Sequence, residues 1–338
     1  TTYHGFCVRV LREDINKIQY PKSFIIMDVE DQKSILREVF NELGLNQKVF
    51  TFKQVLRFIS VEKSKLDYLS YILENKKHDN DRELHRVFFK YLEKQQRNYA
   101  LDFDDLLNYT LYIFSKNQDV LEKWQKRLHY IQVDETQDSS QKQFMLIEML
   151  ASFHKNLFVV GDPDQTIYEW RGAKPEILVD FDKQFPTAQT ILMNQNYRST
   201  PNILNLGNHI IKNNKIRVDK DMFTLNNEGI QVTHFHAKND FEEGLWVANE
   251  IKRLVKENNA KYSDFAVLYR ANFVSRIIEQ SLIRDNIPYS VFGGIRFFER
   301  KEIKDVLSYL RLVVFGDDFS FLRVINTPSR GLGKKFIE

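Results

Sequence analysis

Two rhythms of apolar and polar residues run along this chain, and the change between them falls near residue 128. Before it the period is helical. Ile35, Leu36, Val39, Phe40 and Leu43 recur on one face behind Asp28, which is placed to cap a helix with Asp31 at its third position. From Lys63 to Leu106 the composition is polar and charged. Within it Leu66, Tyr68, Leu69, Tyr71 and Ile72, then Val87, Phe88, Phe89, Tyr91 and Leu92, form apolar stripes. This predicts a small helical domain with a solvated outer face.

After Leu128 short apolar runs at Tyr130–Val133, Leu157–Val160 and Thr190–Met193 alternate with helical segments at Gln141–Phe153 and Pro175–Phe185. A second series follows: Ile230–His236 as a strand, Phe241–Glu257 as a helix, Phe265–Tyr269 as a strand and Ser275–Asp285 as a helix. Gly293-Gly294 marks a turn, and Ile303, Val306, Leu307, Leu310 and Val313 share one face of Glu302–Val314. Alternation of this kind predicts βαβ units, a parallel sheet and the α/β class. Asn226–Gly229 reads as a short linker.

Composition narrows the picture only in part. At 338 residues the chain exceeds what one core organises, so two or three domains are expected. A hydrophobic share of 43% and a charged share of 28% describe an ordinary globular protein. No run approaches the roughly 18 apolar residues of a membrane span, and no signal peptide opens the chain. Cys7 stands alone, which excludes an internal disulfide framework and a cysteine zinc site and suits a reducing cytoplasm. The net charge of +3 is too mild to signal nucleic acid by itself. The chain opens on Thr1, and Thr1–Asp14 reads as the inside of a domain, so an internal piece of something longer is expected.

Candidate chemistry gathers at the ends of the apolar runs, where open α/β sheets bind ligands. Val133-Asp134-Glu135-Thr136-Gln137-Asp138 puts adjacent carboxylates after the first run. An Asp there can hold Mg²⁺ through water and substrate phosphates, and a neighbouring Glu can orient and deprotonate a water. Read alone, such a pair is a solvated acidic loop; the buried strand before it and a second cluster after it favour function. That second cluster, Gly161 to Ala173, turns through Gly-Asp-Pro-Asp into Gln165, whose amide can both donate and accept. Tyr168, Trp170 and Arg171 follow, an interleaving suited to stacking on unpaired bases, although the two rings would serve equally as core. Asn196-Tyr197-Arg198-Ser199 comes after the third run. It reads both as an arginine able to reach a γ-phosphate and as a strand-to-helix turn with Pro201 in the first helical turn. The lysine-rich Lys212–Lys220 reads as a solvated face.

In order and spacing, these three segments resemble motifs II, III and IV of the UvrD/PcrA/Rep group of superfamily 1 DNA helicases. Nearly the whole chain shares the resemblance. Thr2-Tyr3-His4 resembles a T-x-H motif, and Leu101-Asp102-Phe103-Asp104-Asp105-Leu106 an L-D-F-D-D-L segment. Leu268-Tyr269-Arg270 with Asn272 and Arg276 is similar to L-Y-R-x-N-x-x-S-R. Gly293-Gly294 through Arg300-Lys301-Glu302-Ile303-Lys304-Asp305 is similar to G-G-x-x-F-x-x-R-x-E-I-K-D.

The resemblance implies RecA-like parallel-sheet domains with an inserted helical subdomain. Residues 1–20 and 100–189 would belong to the first motor domain, 21–99 to the insertion, 190–325 to the second motor domain and 326–338 to the start of a further accessory domain. It implies ATP and Mg²⁺ as cofactors, with Asp134 for the metal, Glu135 as the base, Gln165 as nucleotide sensor, Tyr197 against the adenine and Arg198 on the γ-phosphate. Thr2, His4, Tyr168, Trp170, Arg171, Arg270 and Asn272 would line the path of single-stranded or junction DNA. The activity implied is 3′-to-5′ translocation and unwinding in repair or replication restart, in the cytoplasm and away from membranes. A non-catalytic helicase-like scaffold and the helicase part of a helicase-nuclease are the alternatives.

Thr136, Pro163 and Glu169 depart from the family's usual residues, and Glu169, between two proposed stacking rings, would weaken DNA contact if it faced the strand. The chain contains no G-x-x-x-x-G-K-[ST] phosphate loop, since Gly333-Lys334 lacks the preceding glycine. These 338 residues alone are therefore expected neither to hydrolyse ATP usefully nor to unwind DNA.

Overall fold

The computed structural model describes residues 1–46, 50–69, 72, 83–271, 274–292 and 301–332. Contacts divide the chain into two compact units, one of residues 1–199 with 207–226, the other of 200–206 with 227–338.

Local signals start the first unit's helices. Asp28, Thr51, Asp102 and Ser140 each open a helix (Val29–Leu43, Phe52–Ser64, Phe103–Lys116 and Gln141–Ala151) through a reciprocal capping box. Thr2 caps Tyr3–Asp14 by accepting the Gly5 N–H at 3.1 Å. Phe103–Lys116 is buried almost all round, as a central helix must be when neighbours cover every face. It packs on Tyr3–Asp14, Phe52–Ser64, Gln118–Arg127 and Gln141–Ala151.

Val29–Leu43, Phe52–Ser64 and Glu83–Arg97 pack together as the expected helical layer. Val87, Phe88, Tyr91 and Leu92 of the second stripe are buried, and Tyr68 and Leu69 of the first are too. Leu66 is instead exposed, and Tyr71 lies outside the described residues. The ends of this helical stretch meet: β1 (Ile25–Ile26) pairs in parallel with β2 (Ala100–Leu101).

Further along the chain β3 (Ile131–Val133) pairs in parallel with β4 (Leu157–Val159), joined through the Gln141–Ala151 helix, a βαβ unit as the pattern predicts. The expected helix over Pro175–Phe185 breaks at Asp180 into Glu176–Val179 and Phe181–Gln184.

The second unit is built on Asp240–Asn258 packed against Ser275–Arg284, with Ala248, Ile251, Ile278, Leu282 and Ile287 at the centre. A side chain at Gly244 would meet Ser281 Oγ at 2.7 Å, so glycine lets the helices approach. Lys301–Phe315 and Asp318–Val324 form a helical hairpin tied by Arg323 to Asp305 at 3.0 Å.

Three expected strands are absent. Thr190–Met193, Ile230–His236 and Phe265–Tyr269 belong to no ladder among the described residues. A strand exists only where a neighbour takes up its backbone groups, and apolar alternation cannot supply one. Their apolar residues remain open to solvent, with Ile191 at 77%, Met193 at 81% and Leu268 at 94% exposure. The Gly293-Gly294 turn lies outside the described residues. Among the described residues no helix is long and apolar enough to cross a membrane.

Candidate functional site

The β3 and β4 ends lie side by side, and the backbone holds them so. Val160 N–H donates to Val133 carbonyl at 2.8 Å, and Thr136 N–H to Val160 carbonyl at 3.0 Å. Asp134 and Glu135 emerge here exposed. Glu135 adopts a left-handed backbone (φ 51°), uncommon for a side-chain-bearing residue and typical of functional turns. That turn leads its carboxylate to Gln137, whose Nε2 donates to Glu135 Oε2 at 2.6 Å.

Gln137 is the hinge of the arrangement. Buried, it uses its other amide atom, Oε1, to accept the Asp162 N–H at 3.0 Å. Asp162 Oδ1 accepts the Asp164 N–H at 3.0 Å, and Oδ2 accepts Gln165 Nε2 at 2.8 Å. A continuous hydrogen-bonded path thus runs from Glu135 through Gln137 and Asp162 to Gln165. The approach demands Gly161: a Cβ there would lie 2.5 Å from Gln137 Oε1 and 2.6 Å from Leu178 Cδ1. Burial alone would raise the Asp162 carboxyl, but Lys220 and the Gln165 amide outweigh it and hold it below the usual range. Asp138 shifts the other way, raised first by burial and then by the Glu135 charge.

Asp134 Oδ1 accepts the Glu135 N–H at 3.0 Å, and its second oxygen has no partner among the described residues. No group of three or more His, Cys, Asp and Glu among the described residues could hold a cation by itself. A single exposed carboxylate such as Asp134 could hold a cation only with water and a phosphate completing the shell.

Tyr168, Trp170 and Arg171 form an open platform. The two ring centroids stand 6.5 Å apart, Arg171 Cζ lies 5.1 Å and 4.6 Å from them, and Trp170 is 66% exposed. Trp170 is therefore not core. The turn is pinned where it returns: Ala173 bridges to Ser140, and Lys174 N–H donates to Ser139 carbonyl at 3.0 Å. Tyr3 OH shares a 2.9 Å hydrogen bond with Ser139 Oγ, which brings the Thr2–His4 segment to the same place. His4 is half-buried edge-on to Phe103, and burial lowers its imidazole while the Asp104 charge opposes. Thr2 spends its hydroxyl on the helix cap.

Of the departing residues, Thr136 is buried, Pro163 opens the short turn 163–165, and Glu169 is exposed. Tyr197 and Arg198 are exposed, and the turn around them is set by Asn196 Oδ1, which accepts the N–H groups of Arg198 (3.0 Å) and Ser199 (2.7 Å). No hydrogen bond or ion pair joins the Arg198 side chain to Asp134, Glu135 or Gln165 among the described residues. Arg270 is exposed in the second unit; Asn272 lies outside the described residues.

Lys212–Lys220 is not uniformly solvated. Arg217 and Lys220 keep side-chain exposures of only 12% and 14%, because both turn onto the Gly-Asp-Pro-Asp loop. Gln137, Arg217 and Lys220 are the contributors the sequence did not single out. Gln137 was visible in the D-E-T-Q-D run, whereas nothing in the spacing links residue 220 to residue 162.

Parallel strand ends thus carry exposed paired carboxylates, bonded through to a Gln, with an exposed aromatic–arginine cluster following in the chain. Comparison with known proteins gives the family. Residues 1–186 match the UvrD/REP helicase N-terminal domain, and 191–338 the UvrD-like helicase C-terminal domain. The chain belongs to the UvrD/REP helicase family. It is 42% identical over 339 residues to the ATP-dependent DNA helicase PcrA of Bacillus subtilis, covering 100% of this chain and 46% of that protein. The PcrA helicases of Staphylococcus aureus and Staphylococcus epidermidis are 40% identical over the same shares. The chain spans about half the length of these relatives.

Proposed function

We propose that this chain supplies part of the motor of an ATP-dependent 3′-to-5′ DNA helicase that moves on single strands and opens duplex or junction DNA. The observation that carries the reading is the path Glu135–Gln137–Asp162–Gln165, which joins the proposed base to the proposed sensor. Nothing in a merely structural turn requires those side chains to be joined while Asp134 and Glu135 stay open.

In this reading Glu135 holds the attacking water and takes its proton, and Gln137 fixes the orientation of that carboxylate. Asp134 would hold Mg²⁺, which when bound neutralises phosphate charge. Gln165 reports on the terminal phosphate, and its bond to Asp162 carries that report toward the Tyr168–Arg171 turn. Tyr168, Trp170 and Arg171 stack on successive unpaired bases, with Thr2, His4, Arg270 and Asn272 along the strand. Tyr197 meets the adenine, and Arg198, free of carboxylate partners among the described residues, reaches the γ-phosphate when the cleft between two RecA-like portions closes. Those portions are 1–20 with 100–189 and 190–325, with 21–99 inserted and 326–338 beginning an accessory domain. The proposed setting is the cytoplasm.

The test is ATP hydrolysis by the full-length polypeptide with and without single-stranded DNA, for wild type and E135Q. Stimulation by DNA, lost in E135Q, is expected; wild-type turnover in E135Q, or indifference to DNA, would sink the reading. A polypeptide of these 338 residues alone, lacking a phosphate loop, is expected to show no stimulated turnover.

A further inference from the structure

Arg217 and Lys220 have no part in the function just proposed, yet both are committed to its centre. Lys220 Nζ is ion-paired with Asp162 Oδ1 and stands 3.8 Å from Asp164 Oδ2. Arg217 Nε stands 3.7 Å from the same Asp164 oxygen, and both atoms are buried without a hydrogen-bond partner. Asn214 Nδ2 donates to Asp164 Oδ1 at 3.3 Å. Arg217 also donates to the Lys220 carbonyl at 2.9 Å, which folds the segment so that both cations face the loop. Two carboxylates two positions apart in a tight turn repel each other, and these two cations offset that repulsion.

The far end of the same segment is tied to the Asn196–Ser199 turn. Gln195 bridges Phe223, Asn196 N–H donates to Phe223 carbonyl at 2.7 Å, and Phe223 N–H donates to Asn194 carbonyl at 3.1 Å. Asn226 Nδ2 donates to the carbonyls of Tyr197 at 3.3 Å and Ser199 at 3.1 Å. Residues 214–226 therefore touch the Gln165 loop with one end and the Arg198 turn with the other.

We propose that Lys220, seconded by Arg217, is a positioning residue: it locks Asp162, sets the reach of Gln165, and couples that loop to the turn carrying Arg198. The inference rests on the assignment of Gln165 and Arg198 above. Lys220 acts through Asp162 and touches no substrate.

The experiment uses the full-length protein and measures steady-state ATP hydrolysis with saturating single-stranded DNA for wild type, K220A, K220R, D162N, the K220A/D162N double variant and E135Q. Misplacement of a positioned group by about an ångström costs up to ~100-fold in rate. K220A is expected to lower kcat roughly 10- to 100-fold with KM for ATP unchanged, K220R to recover most of the loss, and the double variant to be no worse than K220A. The proposal is overturned by unchanged kcat in K220A, by a raised KM (direct contact with nucleotide), by additive losses in the double variant, or by equal losses in K220A and K220R with a lowered melting midpoint. E135Q separates the levels: if it is inactive while K220A is normal, only the lock fails; if E135Q keeps wild-type turnover, the functional assignment fails.

Discussion

Asp102 with Asp105 and Asp134 with Glu135 are two carboxylate pairs on one compact unit, and they handle charge in opposite ways. The first pair is buried with Lys63, whose ammonium lies 2.7 Å from each carboxylate; Gln32 and Tyr91 donate to the same Asp102 oxygen, and Gln95 to the same Asp105 oxygen. Burial and the charge of Asp102 push Asp105 up; burial works against Lys63 and Asp102 too, but their mutual attraction keeps both ionised. The second pair is solvated: Gln137 donates to Glu135 and the Glu135 N–H to Asp134, which leaves an oxygen of each carboxylate open among the described residues. A carboxylate locked by several partners joins elements of structure; one left open can act on a substrate. The buried set indeed joins helices of the 21–99 stretch to Phe103–Lys116.

The sharpest break of that contrast is E135Q in the full-length protein. Turnover should fall by about 10²- to 10⁴-fold, the usual worth of a general base, while the melting midpoint stays put. A loss of stability comparable to that of a core variant would place Glu135 with the structural pair.

K63M tests the other side. It strands two buried carboxylates, and removing one partner of a buried ion pair typically costs about 3–5 kcal/mol. Urea denaturation should show a loss of that size, partly recovered when D105N is added. A loss under about 1 kcal/mol would show the network to be solvated in solution.

Between these extremes lies the platform. W170A should weaken binding of a fluorescent single strand by about 1–3 kcal/mol, the typical worth of one stacked base, and anisotropy would show it. Unchanged affinity would return Trp170 to the role of an incidental exposed aromatic.

Legibility in the sequence followed the range of the interaction. Helix starts were readable because a capping box lies within four residues; Asp28 with Asp31 formed as the spacing implied. The β3 and β4 strands and the open carboxylates were readable because short apolar runs and strand ends are local features. Thr190–Met193, Ile230–His236 and Phe265–Tyr269 were misread because a strand depends on a partner that its own residues do not encode. The Lys63 cluster and Lys220 escaped for the same reason: their partners lie 39, 42 and 58 positions away, and charge along the chain reads as a solvated face until the fold turns it inward.

Acid should separate the two regions by sign. Asp105 is pushed up to about 7 in the folded chain from an ordinary 3.8, so between those values the folded state holds more proton than the unfolded one. Stability from this group therefore rises as pH falls from about 7 toward 4, and D105N should lose that rise. Asp162 is held below its ordinary 3.8, so its contribution persists down to that value and fades only as pH falls through the lower folded one. Melting midpoints of wild type, D105N and D162N between pH 8 and pH 4 would show this. The D105N difference should change steadily across the window, and the D162N difference should stay flat. A flat D105N difference would mean that the buried pair shares no proton and that Lys63 suffices to hold both carboxylates ionised.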